Sequence, residues 1–438
     1  MTPRSLIAGV ATAALITLPS PAPAAQLLDV THYRISVDVD PGSGHLSGRT
    51  VLTATASDSI TLQLALRADD VRVNGQPVDF TQRGLQLSFT NPAPGVQVRI
   101  TIDYHGTPSR TRVNGLNPWM WTATEQVAAG EPRIAPWWFP CNDTPSDKAS
   151  YDIIGRVPAG QQFISNGRLV ARHGRSWHWR NPEPMATYLT LMAAGRYTGT
   201  VSFRYAVAQG LPTDNLRLLK LSSEYLDWLS TQLGPYPFAA RGGLVTGTFT
   251  NENWSMETQT RPTYPDLTDL FDQPELMVHE LAHQWFGDSV TPTRWRDIWL
   301  NEGFARWMEL RYQETHGGRT ASAWLRSNYP RHGRDFWAVP IGSPARADLL
   351  SWAVYDRGAM TVQALRQRIG DPAFFTLLQR WTTTYWHGNA TVEDFQRMAA
   401  EVSGQDLNGF FQAWLYTPGR PAATADNGIA DLPTPPRP

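Results

Sequence analysis

The chain has almost no cysteine, almost no lysine, almost no net charge and, beyond its first two dozen residues, no long apolar run. Cys141 is the only cysteine among 438 residues. No internal disulfide is possible, so the fold must stand on its buried core. Cys141 lies in Trp137-Trp138-Phe139-Pro140-Cys141 with no paired base in evidence, the setting of a structural thiol and not of a nucleophile. Lys148 and Lys220 are the only lysines in a set of 38 basic residues. The arginines are scattered, which reads as codon usage. A net charge of −1 implies no polyelectrolyte partner. Without a basic run interleaved with aromatics, nucleic-acid binding is not expected. No later stretch approaches the roughly 18 apolar residues that span a bilayer, so no stable membrane insertion is expected.

What is present begins with a leader-like start. Met1-Thr2-Pro3-Arg4 is short and basic, Ser5 to Leu18 is apolar or small, and Ala22-Pro23-Ala24-Ala25 offers small residues for cleavage. This is the pattern of a secretory signal peptide over 1–25, cut after Ala24 or Ala25, and it predicts a secreted or periplasmic protein. The remaining length suits two or three domains. Residues 26–205 alternate apolar and polar in short runs, as in Tyr33-Arg34-Ile35-Ser36-Val37-Asp38-Val39. Turn signals such as Asn74-Gly75 and Asn114-Gly115 separate the runs. The expectation is an antiparallel β domain, sandwich or saddle in shape. Over 206–420 the apolar spacing becomes helical, with helices expected at 218–233, 275–286, 298–315, 358–369, 372–385 and 392–403. Pro274 suits the first turn of the second of these, with Asp272 or Gln273 as its cap. This second domain is mostly α with a small sheet, which makes the fold class α+β. Residues 421–438, rich in Pro, Ala and Asp, are expected to form a disordered tail.

The residues that carry chemistry sit in the second domain. In His279-Glu280-Leu281-Ala282-His283 the two imidazoles are four residues apart and leave one face of a helix. Glu302 follows in Asn301-Glu302-Gly303-Phe304-Ala305. Two His and one Glu can hold a single Zn²⁺ with a coordination position left open, the layout of a hydrolase. Glu280 is rotated by one residue, placed to accept a proton from water without taking up a ligand position. A solvated surface helix is the competing reading. Leu281, Ala282, Trp285 and Phe286 argue for burial, and two buried His and a Glu without a shared partner would be costly.

These residues resemble the M1 family of zinc aminopeptidases, the gluzincins that include aminopeptidase N and leukotriene A4 hydrolase. The likeness extends to Phe139-Pro140-Cys141-Asn142-Asp143-Thr144-Pro145, to Gly234-Pro235-Tyr236-Pro237-Phe238 and to Phe411-Gln412-Ala413-Trp414-Leu415. It implies a two-domain form with a thermolysin-like catalytic domain. It implies that Tyr355, in Tyr355-Asp356-Arg357-Gly358-Ala359, donates to the oxyanion of the transition state. It also implies a glutamate that holds the substrate's free α-amine, which would make the enzyme an exopeptidase acting on peptides with a free N-terminus. The family's Gly-x-Met-Glu-Asn segment is altered here to Trp254-Ser255-Met256-Glu257-Thr258. Glu257 is the better match, and Glu252 in Asn251-Glu252-Asn253-Trp254 is a second register. Glu131, counted back from Phe139-Pro140-Cys141, aligns with a further amine anchor. Two other readings stay open: a zinc metalloendopeptidase without a working amine anchor, and a non-catalytic peptide-binding protein on the same fold. A monomer is expected. Of the clustered tryptophans Trp295, Trp299, Trp307, Trp324, Trp337 and Trp352, most are expected in the core, with one or two lining a subsite.

Overall fold

The structure is a computed structural model that describes residues 28–249, 255–268 and 274–430. The expected signal peptide, the register at Glu252, the capping residues Asp272 and Gln273 and the last part of the expected tail lie outside the described residues.

The first domain is built on an eight-stranded sheet. Its strand order is 168–173, 176–185, 149–156, 28–40, 45–56, 97–106, 67–73 and 76–77. The strand Leu28–Asp40 largely alternates between buried and exposed positions, because one face covers the core and the other meets solvent. The hairpin at Asn74-Gly75 has both residues at positive φ, 51° and 82°, as a tight two-residue turn requires. A three-stranded sheet (59–63, 86–90, 80–83) and a four-stranded one (162–165, 192–195, 126–128, 120–121) complete the domain. One pairing departs from the antiparallel expectation. Leu28–Asp40 runs parallel to Ala149–Arg156, with Ile35 opposite Ile153. More than a hundred residues separate these strands, so no hairpin dictates their direction, and side-chain alternation carries no information about it.

The second domain contains nine α-helices among the described residues: α1 (Asp214–Leu233), α2 (Pro274–Ala282), α3 (Trp299–Thr315), α4 (Ala321–Asn328), α5 (Arg334–Ala338), α6 (Gly358–Ile369), α7 (Asp371–Thr384), α8 (Val392–Ser403) and α9 (Asn408–Phe411). Its small sheet has the order 197–199, 205–208, 243–245, 263–264. That sheet begins at Tyr197, ahead of the boundary expected at 205. Helix α8 starts with a capping box in which Thr391 and Asp394 satisfy each other's backbone N–H groups.

Two expectations change. The helix expected to reach Phe286 ends at Ala282. Beyond it the backbone widens, with Asp288 N–H donating to His283 O and Ser289 N–H to Gln284 O. Gly287, at φ 123°, permits this turn. The tail expected from 421 is also corrected, because residues 421–430 pack against the helices. Ile429 is buried, Trp414 Nε1 donates to Asn427 O, and Gly428 lies against the backbone of Ala364. The apolar Ile429 supplies the burial that composition alone concealed.

Candidate metal centre and active site

Helices α2 and α3 pack together and α3 packs on α6, so three sequence-distant segments meet at one point. Gly303 and Gly358 touch across the second of these contacts. A Cβ on Gly358 would stand 2.7 Å from the Cα of Gly303. Only two glycines allow the helix backbones this near, and that contact brings Glu302 beside the segment carrying Tyr355.

His279, His283 and Glu302 are all buried, and a ligand atom from each lies within 4.8 Å of the others. Glu302 Oε2 is 3.4 Å from His279 Nε2 and 3.5 Å from His283 Nε2. Both Nδ1 atoms point away to partners. His279 Nδ1 is 2.7 Å from Glu309 Oε1, and His283 Nδ1 is 3.0 Å from the carbonyl of Phe286. Each ring is thereby oriented with Nε2 towards Glu302. Glu302 Oε1 is buried and has no hydrogen-bond partner. An orphaned carboxylate oxygen and two oriented imidazoles form a donor set that fits a tetrahedral zinc ion with an open position.

The electrostatics agree. Burial opposes the charge of Glu302, yet His283 and His279 draw its pKa down to about 2. Burial likewise opposes protonation of the rings, but Glu302 and Glu309 raise the pKa of His279 well above its usual value. Glu302 raises that of His283 to about 9. A divalent cation would replace those protons. Glu280 is 5% exposed, and burial pushes its carboxyl up, opposed by the two imidazoles.

A second carboxylate group adjoins the first. Glu131 from the β domain, Glu257 and Glu302 each place an oxygen within 4.8 Å of the others. Glu131 Oε2 and Glu257 Oε1 are buried without hydrogen-bond partners. Burial, and then Glu257, raises the pKa of Glu131 well above the usual carboxylate range. Carboxylates packed this closely repel one another, so each favours a bound proton or a neighbouring cation. The altered residue Thr258 has a structural use. Its Oγ1 donates to Arg261 O, closing the turn after Glu257. Gln284, adjacent to His283, donates to Glu257 O and accepts from Thr260 N–H, tying this segment to the end of α2.

Tyr355 stands over the metal site, its ring centroid 6.1 Å from that of His279 and nearly parallel to it. Burial and then the surrounding carboxylates, Glu302 first, raise its pKa well above 10, so the phenol keeps its proton and remains a donor. Four of the six clustered tryptophans, Trp299, Trp307, Trp324 and Trp337, are core. Trp352 is 71% exposed, with its ring 5.9 Å from that of Tyr355. Cys141 is fully buried, and burial raises its thiol pKa, as a structural role requires.

Several supporting residues escape a reading by motif. Glu309 orients His279, Arg306 pairs with Glu309, and Arg306 Nε donates to Asp356 beside Tyr355. Glu309 lies seven residues after Glu302, two turns along the same face, and that spacing was the available signal. Lys148 comes from the other domain, and its role leaves no trace in local spacing. It donates to the carbonyls of Asp288, Ser289 and Gly388.

A sheet-rich first domain, a helical second domain and a buried His/His/Glu cluster between packed helices define the architecture of a zinc metallopeptidase. The chain belongs to peptidase family M1. The profile of the peptidase family M1 domain matches residues 247–414, and that of the peptidase M1 N-terminal domain matches residues 30–189. The aminopeptidase N of Lactococcus lactis subsp. lactis is 24% identical over 90% of this chain and 52% of its own. That of Streptomyces lividans is 24% identical over 90% of this chain and 51% of its own. This chain therefore spans about half the length of the curated relatives it matches. An M1 zinc metallopeptidase from Deinococcus radiodurans superposes with a TM-score of 0.79 at 27% identity, covering 90% of this chain and 95% of that one. A variant of it bound to a Tyr-Ser-Ala substrate covers 91% and 96%, also at TM-score 0.79.

Proposed function

We propose that this protein is a zinc-dependent aminopeptidase that removes the first residue of peptides with a free N-terminus. The observation that carries the reading is the placement of Glu131 and Glu257 directly beside Glu302. His279, His283 and Glu302 would hold the zinc. Bound there, zinc supplies a Lewis acid that polarises a carbonyl and makes water a nucleophile near neutral pH. Glu257 and Glu131 receive the substrate's α-ammonium, which satisfies their two orphaned oxygens. Only a chain terminus brings that cation, so the anchor sets an exopeptidase register. Glu280 takes the proton of the attacking water and returns it to the leaving amine. Tyr355 donates its phenolic proton in a hydrogen bond to the developing oxyanion, a contact worth roughly 10²–10³ in rate. The variant of the Deinococcus radiodurans enzyme bound to a Tyr-Ser-Ala substrate supports a short peptide in the same cleft.

Glu280→Gln should lower kcat on an aminoacyl chromogenic substrate by roughly 10²–10⁴-fold with zinc still bound. Unchanged turnover would overturn the reading. The alteration around Glu257 gives the endopeptidase alternative its footing. Comparing a peptide with its N-acetylated twin separates the two, since equal cleavage would remove the amine anchor. Zinc content without hydrolysis across a broad peptide library would instead point to a binding protein. The leader-like residues 1–25 support export, and N-terminal sequencing of the mature protein tests it. Among the described residues no helix is long and apolar enough to cross a membrane.

A further inference from the structure

Away from the metal centre, the junction of the two domains carries a cavity of about 410 Å³. Its wall contains Arg168, Arg204, Arg241 and Arg261 and no carboxylate. Arg261 is only 2% exposed. Its Nε donates to Ser165 O and its Nη1 to Phe203 O and Arg204 O. Its Nη2 has no acceptor among the described residues, and its Cζ lies 4.7 Å from the centre of the Trp179 ring. Burial lowers its pKa to about 9, because the guanidinium is removed from water.

Arg357 provides an internal comparison. It is equally buried, but its Nε, Nη1 and Nη2 all donate, to the carbonyls of Trp414, Trp337, Val339, Ala413 and Thr417. All five of its N–H groups are used. Arg357 is therefore a finished structural guanidinium, whereas Arg261 keeps two N–H donors unspent at the wall of a cavity. The other three arginines add charge of the same sign. Among the described residues Arg241 has one carboxylate partner, Asp227, itself 72% exposed. Arg168 and Arg204 are exposed and have no carboxylate partner among the described residues. Burying an uncompensated guanidinium beside like charges is costly unless an anion completes the site.

We propose that this cavity binds a tetrahedral oxyanion of the phosphate or sulfate class, with Arg261 as its buried floor and Arg168 and Arg204 as its outer arms. Guanidinium groups recognise such anions through paired, charge-assisted hydrogen bonds, and the volume leaves room for retained water. The site is separate from the metal ligands and does not depend on the peptidase reading. It is tested by calorimetric titration of the zinc-loaded full chain with inorganic sulfate, and again with phosphate, at ionic strength held constant with chloride. One saturable site is expected. Arg168→Gln and Arg204→Gln should each weaken it about tenfold, the loss of one hydrogen bond to a charged group. Both residues are exposed, so the variants should fold. Arg83→Gln, on the three-stranded sheet, should leave it unchanged. Absence of saturable binding would overturn the proposal. So would an affinity that both cavity variants retain, which would place the anion at the metal, or an equal loss in Arg83→Gln, which would reduce it to general charge attraction.

Discussion

Around the proposed metal position, the residues that would ligate the ion and those that orient them make different predictions. In the metal-free protein His283 titrates at about 9, and His279 is also raised, because Glu302 and Glu309 outweigh the burial penalty. A raised pKa means that both rings carry protons at pH 7, whereas a zinc ligand must be neutral imidazole. Zinc binding at pH 7 should therefore release protons from both rings, and apparent zinc affinity should climb as pH rises towards about 9. Titration in buffers of different ionisation enthalpy measures this, and a heat independent of buffer would contradict it. Arg306 touches no ligand atom but pairs with Glu309 and Asp356. Arg306→Gln should weaken zinc binding roughly 10–100-fold, the usual effect of losing a partner that orients a ligand. Competition with a chromogenic chelator reads this, and wild-type affinity would show that Glu309 holds its position alone.

At the scale of elements, the site depends on how closely α3 and α6 approach. Gly303 and Gly358 each deny space to a Cβ on the other. Gly358→Ala must part the helices or distort them, at a cost of about 1–3 kcal/mol. It should also shift Tyr355 relative to Glu302 and lower kcat more than a remote helix substitution of equal stability cost. Denaturation and steady-state kinetics measured together check this, and loss of stability with intact kcat would show that the two residues are not coupled through the contact. These elements are legible in the sequence to differing degrees. The range of α8 agrees with the apolar spacing, because the Thr391 cap and Gly404 punctuate it, and α6 stops as expected at Gly370, although it is entered directly from a wide helical turn at 353–357. The short α4 and α5 and the wide turn after His283 leave no such pattern, since their form is set by packing and by backbone hydrogen bonds.

For the molecule as a whole, the β domain contributes residues to the carboxylate cluster and to the turn behind His283. Glu131 reaches the carboxylate cluster, and Lys148 crosses the junction to three carbonyls, two of them on the turn behind His283. Lys148→Met removes three charge-assisted hydrogen bonds and leaves Ser289 O without a donor among the described residues, while Asp288 O keeps Thr291 Oγ1 and Gly388 O keeps Thr291 N–H. It should cost about 3 kcal/mol or more and hasten zinc loss on dialysis, because the turn after α2 loses its clamp. Thermal unfolding and metal analysis test this, and an unchanged midpoint would assign the junction's stability elsewhere.

Some of this protein was decided by its sequence alone. The i, i+4 pair His279 and His283, the carboxylate Glu280 between them and the later Glu302 are readable as a metal-binding pattern, because helical periodicity turns spacing into direction. The alternation of roughly the first half of the chain and the helical spacing after it likewise determined the two-domain α+β class. The tertiary structure decided the rest. It determined that Glu131 and Glu257 meet beside Glu302, that Gly303 seats against Gly358, and that Lys148 and Arg261 each enter the junction between domains. Those contacts join residues tens to hundreds of positions apart, and no periodicity encodes which distant surfaces will close on one another once their apolar faces leave water.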